Sequence, residues 1–197
     1  MNKNFSIIVL IIISILLGFF AYNQRQENIK YENLFSDELA TTMSLLSSSI
    51  LSNNKILQSG FSKKYFTESE VDQLINNYGN IINYSQEANY FVITLGRAKS
   101  SEINNYTAYI AEKIQYYLLN LKKHANGNYS ISLNDDNTEQ FQYVKEVNEL
   151  WTLVINNTIE GKSREELRNI HDNYWVETML ELSNHSKKQK HYFDNFH

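Results

Sequence analysis

Asp135, Asn137, Glu139 and Glu146 fall at the first, third, fifth and twelfth places of an EF-hand calcium loop. Calcium wants a ring of such oxygens, but the loop also needs glycine at the sixth place for its sharp turn. Here that place is Gln140, and no aliphatic residue follows at the eighth. The competing reading has Asp135, Asp136 or Asn137 capping a helix start, with the acids complementing its dipole. The missing glycine favours the cap, and no metal is expected there.

Five histidines are available: His124, His171, His185, His191 and His197. The last three stand six apart, a spacing that scatters them around a helix instead of gathering them on a metal. A loose wrap by an unstructured tail is the alternative. Di-iron bundles need Glu-x-x-His pairs; Glu181 and His185 are one residue too far apart. No H-E-x-x-H occurs, and no two glycines stand close enough to cradle a nucleotide phosphate. The chain has no cysteine. Disulfides, thiolate catalysis, iron–sulfur clusters, Cys-based zinc sites and a lipid-modified cysteine anchor are therefore excluded. A net charge of −4 offers no basic field, so nucleic acid is not an expected partner. With no nucleophile–base pair in view, the expectation is a protein without cofactors that is not an enzyme. A site assembled from distant residues of a bundle is the alternative.

What stands out instead is aromatic surface. Tyr78, Tyr84, Tyr90, Tyr106, Tyr109, Tyr116 and Tyr117 crowd the middle of the chain, with Phe91 among them. Aromatics are enriched at protein interfaces and ligand grooves, which makes these seven tyrosines the candidate partner or ligand surface. Bundle core is their other use. Lys187, Lys188 and Lys190 give the C-terminal tail local positive charge. It suits contact with anionic lipid or polymer, or simple solvation. The Asn-x-Ser/Thr triplets, such as Asn83–Ser85 and Asn156–Thr158, are expected by chance in so Asn-rich a chain. Heavy use of Asn, Ile, Lys and Tyr reads as the base bias of an AT-rich bacterial genome.

The elements that must carry these residues are helices. Of 197 residues none is proline and 6 are glycine, so the turn chemistry of sandwiches and barrels is missing. With 42% hydrophobic and 20% charged residues, the chain should fold. The stretch FSIIVLIIISILLGFF, Phe5 to Phe20, is uncharged, and Ala21 and Tyr22 extend it. That length reaches the lower limit for a spanning helix. Phe19 and Phe20 stand where a signal peptidase wants small residues. An uncleaved signal anchor is therefore expected; a cleaved export signal and a buried soluble helix are the alternatives.

A first helix should run from the membrane to about Leu57, with a stripe of Phe35, Leu39, Met43, Leu46 and Ile50, and end at Gly60. It would form a stiff stalk continuous with the anchor. Thr67 and Glu70 make a capping box for a second helix, with Phe66 and Val71 as its staple. Its near-heptad seam is Val71, Leu74, Tyr78, Ile81, Ser85, Val92 and Leu95. GRAKSS is read as the break of a hairpin, a single rod over 68–124 being the alternative. A third helix carries Ile103, Thr107, Ile110, Ile114, Tyr117 and Leu121. Beyond the polar stretch HANGNYSISLNDDN, a fourth carries Phe141, Val144, Asn148, Trp151, Ile155 and Thr158. Gly161, then the box Ser163 and Glu166, starts a fifth with Leu167, Ile170, Tyr174, Met179 and Leu182.

The expected fold is thus all-α: an N-terminal transmembrane helix followed by an elongated antiparallel helical bundle of four to five helices. The expected organisation is a short cytoplasmic N-terminus (1–4), a transmembrane anchor (5–22), an extracytoplasmic bundle (23–190) and a frayed tail (191–197). The expected partners are the lipid bilayer, through the N-terminal helix, and an unknown protein or a second copy of the chain. The function this implies is an interaction or scaffold module for another membrane or envelope protein. The alternative is a ligand-sensing bundle that signals through a separate partner. The layout resembles the extracytoplasmic helical sensor domains of bacterial chemoreceptors and histidine kinases.

Overall fold

The computed structural model describes residues 3–99, 104–124, 130–194 and 196, with side chains from residue 10 onward. The protein is all-α. The described residues form helices α1 (Lys3–Lys63), α2 (Glu68–Thr94), α3 (Tyr106–His124), α4 (Thr138–Thr158), α5 (Arg164–Leu167) and α6 (Tyr174–Phe193). Two short strands, β1 (Tyr65–Thr67) and β2 (Ser130–Ser132), join them.

The chain divides into two compact units, Met1–Glu38 and Leu39–His197, and α1 contributes to both. In the first unit the apolar side chains from Leu10 to Phe20 are exposed, Leu10 at 63% and Phe20 at 67%. Among the described residues no helix is long and apolar enough to cross a membrane. The expected span begins at Phe5, and the side chains of residues 5–9 lie outside the described set.

The second unit is a helical bundle. Of the expected stripe of α1, Leu39, Met43, Leu46 and Ile50 are buried while Phe35 is only half-buried; Asn53 and Leu57, further along the helix, are buried as well. Gly60 does not end this helix, contrary to the sequence expectation. A Cβ there would lie 1.9 Å from Cε1 of Phe66. Glycine serves close packing at this point, and the helix stops only after Lys63, where Lys64 takes a φ of 64°.

Phe66 is held by an element the polar interruption concealed. β1 pairs antiparallel with β2 in the register Tyr65↔Ser132, Phe66↔Ile131, Thr67↔Ser130. Strand alternation turns Phe66 and Ile131 inward. The Phe66 ring stacks on Phe141 at 4.7 Å, and Phe61 meets its edge at 6.5 Å. Thr67 caps α2 as expected, its hydroxyl accepting from Glu70 N–H while the Glu70 carboxylate accepts from Thr67 N–H.

Residues 68–124 are a hairpin, not a rod. Gly96, at a φ of 64°, closes α2 with a Schellman turn in which Arg97 N–H reaches Val92 O at 2.9 Å. Asn105 caps α3 by accepting from Ala108 N–H at 3.0 Å. Ile103 of the expected third stripe lies outside the described residues; Thr107, Ile110, Ile114 and Tyr117 are buried.

The expected fifth helix is two. The Ser163–Glu166 capping box is present but nucleates only the single turn of α5. Asn169 and Asp172 then offer their side chains to the backbone, Asn169 Oδ1 to His171 N–H and Asp172 Oδ1 to Tyr174 N–H. That local bonding competes with helix propagation. Arg97 secures the break by donating to the carbonyls of His171 and Asp172, and its guanidinium lies 6.0 Å from the Trp175 ring centre. At the other end of α6, Phe193 and Phe196 are buried, and Phe196 lies 5.0 Å from the Tyr117 ring. Helix therefore continues into the residues expected to fray.

Buried hydrogen bonds fix which helix faces which. Trp151 Nε1 donates to Ser186 Oγ at 2.9 Å, Ser186 donates to Leu182 O, and Thr107 Oγ1 lies 3.3 Å from the same hydroxyl. This joins α3, α4 and α6. Asn148 Nδ2 donates to Ile50 O at 3.1 Å, tying α4 to α1.

Candidate functional site

Packing of α2 against α3 decides what becomes of the tyrosines. Asp72 meets Lys122, Ile75 O accepts from Gln115 Nε2 at 3.1 Å, and Ser85 accepts from Asn105 at 3.3 Å. Partner numbers fall along α3 as they rise along α2, so the helices are antiparallel.

The seven tyrosines expected to form one surface separate. Tyr78 is a core residue with no exposed area. Its seam position sends the ring inward, and its hydroxyl has no partner among the described residues. Burial pushes that hydroxyl far above the ordinary tyrosine range. Tyr117 is also buried, in contact with Phe141 and Phe196, and burial pushes its pKa up to about 12. These two belong to the core and are removed from the surface set. Tyr84, on α2, is half-buried. Tyr90 and Tyr116 are open to solvent, at 63% and 58%.

Tyr106 and Tyr109 face α6 and meet the lysines of the expected tail. Lys187 Nζ lies 5.9 Å from the Tyr106 ring centre, and Lys190 Nζ lies 5.2 Å from that of Tyr109. Lys113 approaches Tyr109 as well, at 5.9 Å. Asp194 closes the group by accepting from Lys190 Nζ at 2.9 Å and from the Tyr109 hydroxyl at 2.8 Å. Those bonds, Lys190 first, hold the Asp194 carboxyl below its usual range, while the bond to Asp194 raises the Tyr109 hydroxyl. Two of the three tail lysines, Lys187 and Lys190, are thus engaged by tyrosines of α3, and Lys190 by Asp194 as well.

The open side of the α2–α3 pair forms a groove of about 330 Å³. Asn83 and Gln86 line it from α2, and Glu112, Gln115 and Tyr116 from α3. Of the seven tyrosines only Tyr116 takes part. The four amide and carboxylate residues were passed over in the sequence. Their signal was present: 83 and 86, and 112 and 115, are i, i+3 pairs on the face opposite each apolar seam.

A second cleft, of about 290 Å³, lies between α4 and α6, where Tyr143 stacks on Tyr192 at 4.4 Å beside His191. Glu139 accepts from the Tyr143 hydroxyl at 2.6 Å, and that bond raises the tyrosine pKa. The remaining acids of the calcium-like spacing do not converge. Asn137 stands at the N-cap of α4 but its side chain makes no cap bond to the helix; its amide instead donates to Ser132 O and accepts from Asn134 N–H, and Glu146 accepts from Gln142. Among the described residues no three His, Asp or Glu side chains gather as a metal site would. His197 lies outside the described residues. No family model, curated protein or solved structure matches this chain.

Proposed function

We propose that the chain is a single-pass membrane protein. Its elongated, antiparallel extracytoplasmic bundle would act as an interaction or scaffold module for another membrane or envelope protein, or for a second copy of itself. The observation that carries this reading is the exposed apolar face of the first unit, Leu10 to Tyr22, on a helix that already begins at Lys3. Together with Phe5–Val9 of the sequence, this is an uncharged run from Phe5 to Tyr22. At about −0.3 to −0.6 kcal/mol for each Ile, Leu, Val or Phe, it favours insertion into a bilayer by about 5 kcal/mol. Lys3 on one flank and Arg25 and Lys30 on the other nearly balance, so charge does not set the orientation; export of the large polar body is the usual behaviour of such an N-terminal segment. Tyr90 and Tyr116, open to solvent on α2 and α3, support contact with a partner.

A second reading, a ligand-sensing bundle that signals through a separate protein, draws on the α2–α3 groove. The test is fractionation of expressing cells with an alkaline wash, protease protection, and crosslinking in intact cells followed by mass spectrometry. The expected result is a full chain retained in the membrane pellet, a body digested only from outside, and a stoichiometric crosslinked partner or homo-oligomer. A chain released by the wash would overturn the anchor. A monomer with no crosslinked partner would overturn the scaffold role.

A further inference from the structure

The α2–α3 groove has a chemistry that narrows what can occupy it. Its polar lining is Asn83, Gln86, Gln115 and Glu112, and it contains neither lysine nor arginine. A phosphate or carboxylate ligand draws its affinity from such cations, so an anion has nothing to bind. Ile82 is the one aliphatic side chain lining it. An amphipathic helix or an acyl chain needs a row of apolar anchors, so these do not fit either. A cation could use only Glu112 and the amide oxygens and would leave the amide N–H groups unmet, so the lining as a whole suits a ligand that both donates and accepts hydrogen bonds at several neighbouring points.

We propose that this groove binds a neutral carbohydrate. Each planar amide presents a donor beside an acceptor, and the carboxylate adds two acceptor oxygens, a set that matches the adjacent hydroxyls of a pyranose. Asn83, Gln86 and Glu112 line the groove and are exposed, so their polar atoms are open to a ligand. Gln115 is different, because it is placed. Its Nε2 donates to Ile75 O at 3.1 Å, across Gly79, where a Cβ would come within 2.8 Å of that nitrogen. Gly79 therefore lets Gln115 lie along the groove floor. Tyr116 stands beside Gln115 with more than half of its surface open. The weakly positive C–H face of a sugar ring packs on the negative face of an aromatic ring, which gives the groove a stacking platform beside its hydrogen-bonding floor. The volume lies at the lower end of small-molecule sites, enough for a short stretch of glycan.

The test uses the full chain in a detergent without a sugar head group. N-acetylglucosamine trimer, cellotriose and maltotriose are titrated by calorimetry, with saturation-transfer NMR to report which ligand protons touch the protein. Inorganic phosphate and spermidine serve as anionic and cationic probes. The expected result is binding of at least one trisaccharide, with its ring C–H protons receiving saturation. Tyr116→Ala should weaken that binding at least about tenfold by removing the stacking face. Asn83→Ala should weaken it severalfold, and Tyr192→Ala, in the other cleft, should leave it unchanged. Circular dichroism of each variant confirms the fold. Absence of binding by all three sugars overturns the proposal, as does a Tyr116→Ala protein that binds as tightly as the parent. So does displacement of the sugar by spermidine or phosphate. Because sugar binding does not depend on the bilayer, failure here leaves the anchor standing, and a soluble protein leaves this proposal standing.

Discussion

Replacing Gly60 by alanine should destabilise the protein, although alanine is the better helix former. In an ordinary helix interior the exchange gains about 1 kcal/mol. Here the new Cβ would sit 1.9, 2.3 and 2.4 Å from three atoms of the Phe66 ring. Carbon atoms rest at about 3.5–4 Å, so the ring would have to retreat by roughly 1.5 Å or more. It has little room to move: Phe141 stacks on it at 4.7 Å, Phe61 meets it edge-on at 6.5 Å, and Phe141 in turn meets Tyr117 at 5.8 Å. Strain of this kind costs about 1–3 kcal/mol, occasionally more. Three overlaps this deep belong at the upper end of that range, about 2–3 kcal/mol, so after the helix gain is subtracted Gly60→Ala should lose about 1–2 kcal/mol. For a chain of this size that is a fall in Tm of about 2–8 °C. Thermal and urea unfolding of the full chain in detergent, followed by circular dichroism, would measure it. Gly79→Ala is the control, since its Cβ meets only the far end of the Gln115 side chain; its stability should stay within about 0.5 kcal/mol of the parent. Gly60→Ala combined with Phe66→Leu should be less damaging than the two changes added together. A Gly60→Ala protein as stable as the parent, or an additive double variant, would refute the argument.

Tyr78→Phe removes a buried hydroxyl that has no partner among the described residues and should raise stability by about 1 kcal/mol in the same unfolding assay. Ser186→Ala leaves Trp151 Nε1 without its acceptor and should cost about 1–3 kcal/mol, with a change in tryptophan fluorescence. Burial alone would raise the pKa of Glu70, but Lys63 at 2.6 Å and the N–H and hydroxyl of Thr67 overcome it, so the net shift is downward. A depressed carboxylate stabilises the fold above its unfolded pKa and loses that contribution as pH falls through the folded value. Glu70→Gln should therefore be less stable than the parent at neutral pH, and the difference should vanish in acid, as urea titrations across pH would show.

Much of the fold was legible in the sequence because its signals are local. The boxes Thr67–Glu70 and Ser163–Glu166 each need only four residues, and both formed. The seams of α2 and α4 are periodic over several turns and are buried as read except at their last positions, Leu95 and Thr158, which are half-buried. What escaped depends on contacts distant in the chain. Gly60 reads as a stop until Phe66 is known to need its space. Ser130-Ile131-Ser132 reads as loop until it finds Tyr65–Thr67. The division of α5 from α6, begun by local bonds of Asn169 and Asp172, is secured by Arg97, more than seventy residues away in sequence. The tyrosine surface failed for a related reason. Tyrosine serves core and interface equally well, and only the seam phase of Tyr78 and Tyr117 marked them as inward. The groove was missed because amides at helical spacing carry no signal until a second helix lies beside them.

The ribbon of β1 and β2 acts as a clasp. Its two halves are separated by more than sixty residues, and drawing the ends of so long a flexible segment together costs roughly 4 kcal/mol in lost chain freedom. Three residue pairs offer little to set against that. The clasp can therefore shut only once the intervening helical hairpin has formed and shortened the gap. It should be the last part to assemble and the first to open. In hydrogen exchange, the amides of residues 65–67 and 130–132 should lose protection well before those of α2 and α3.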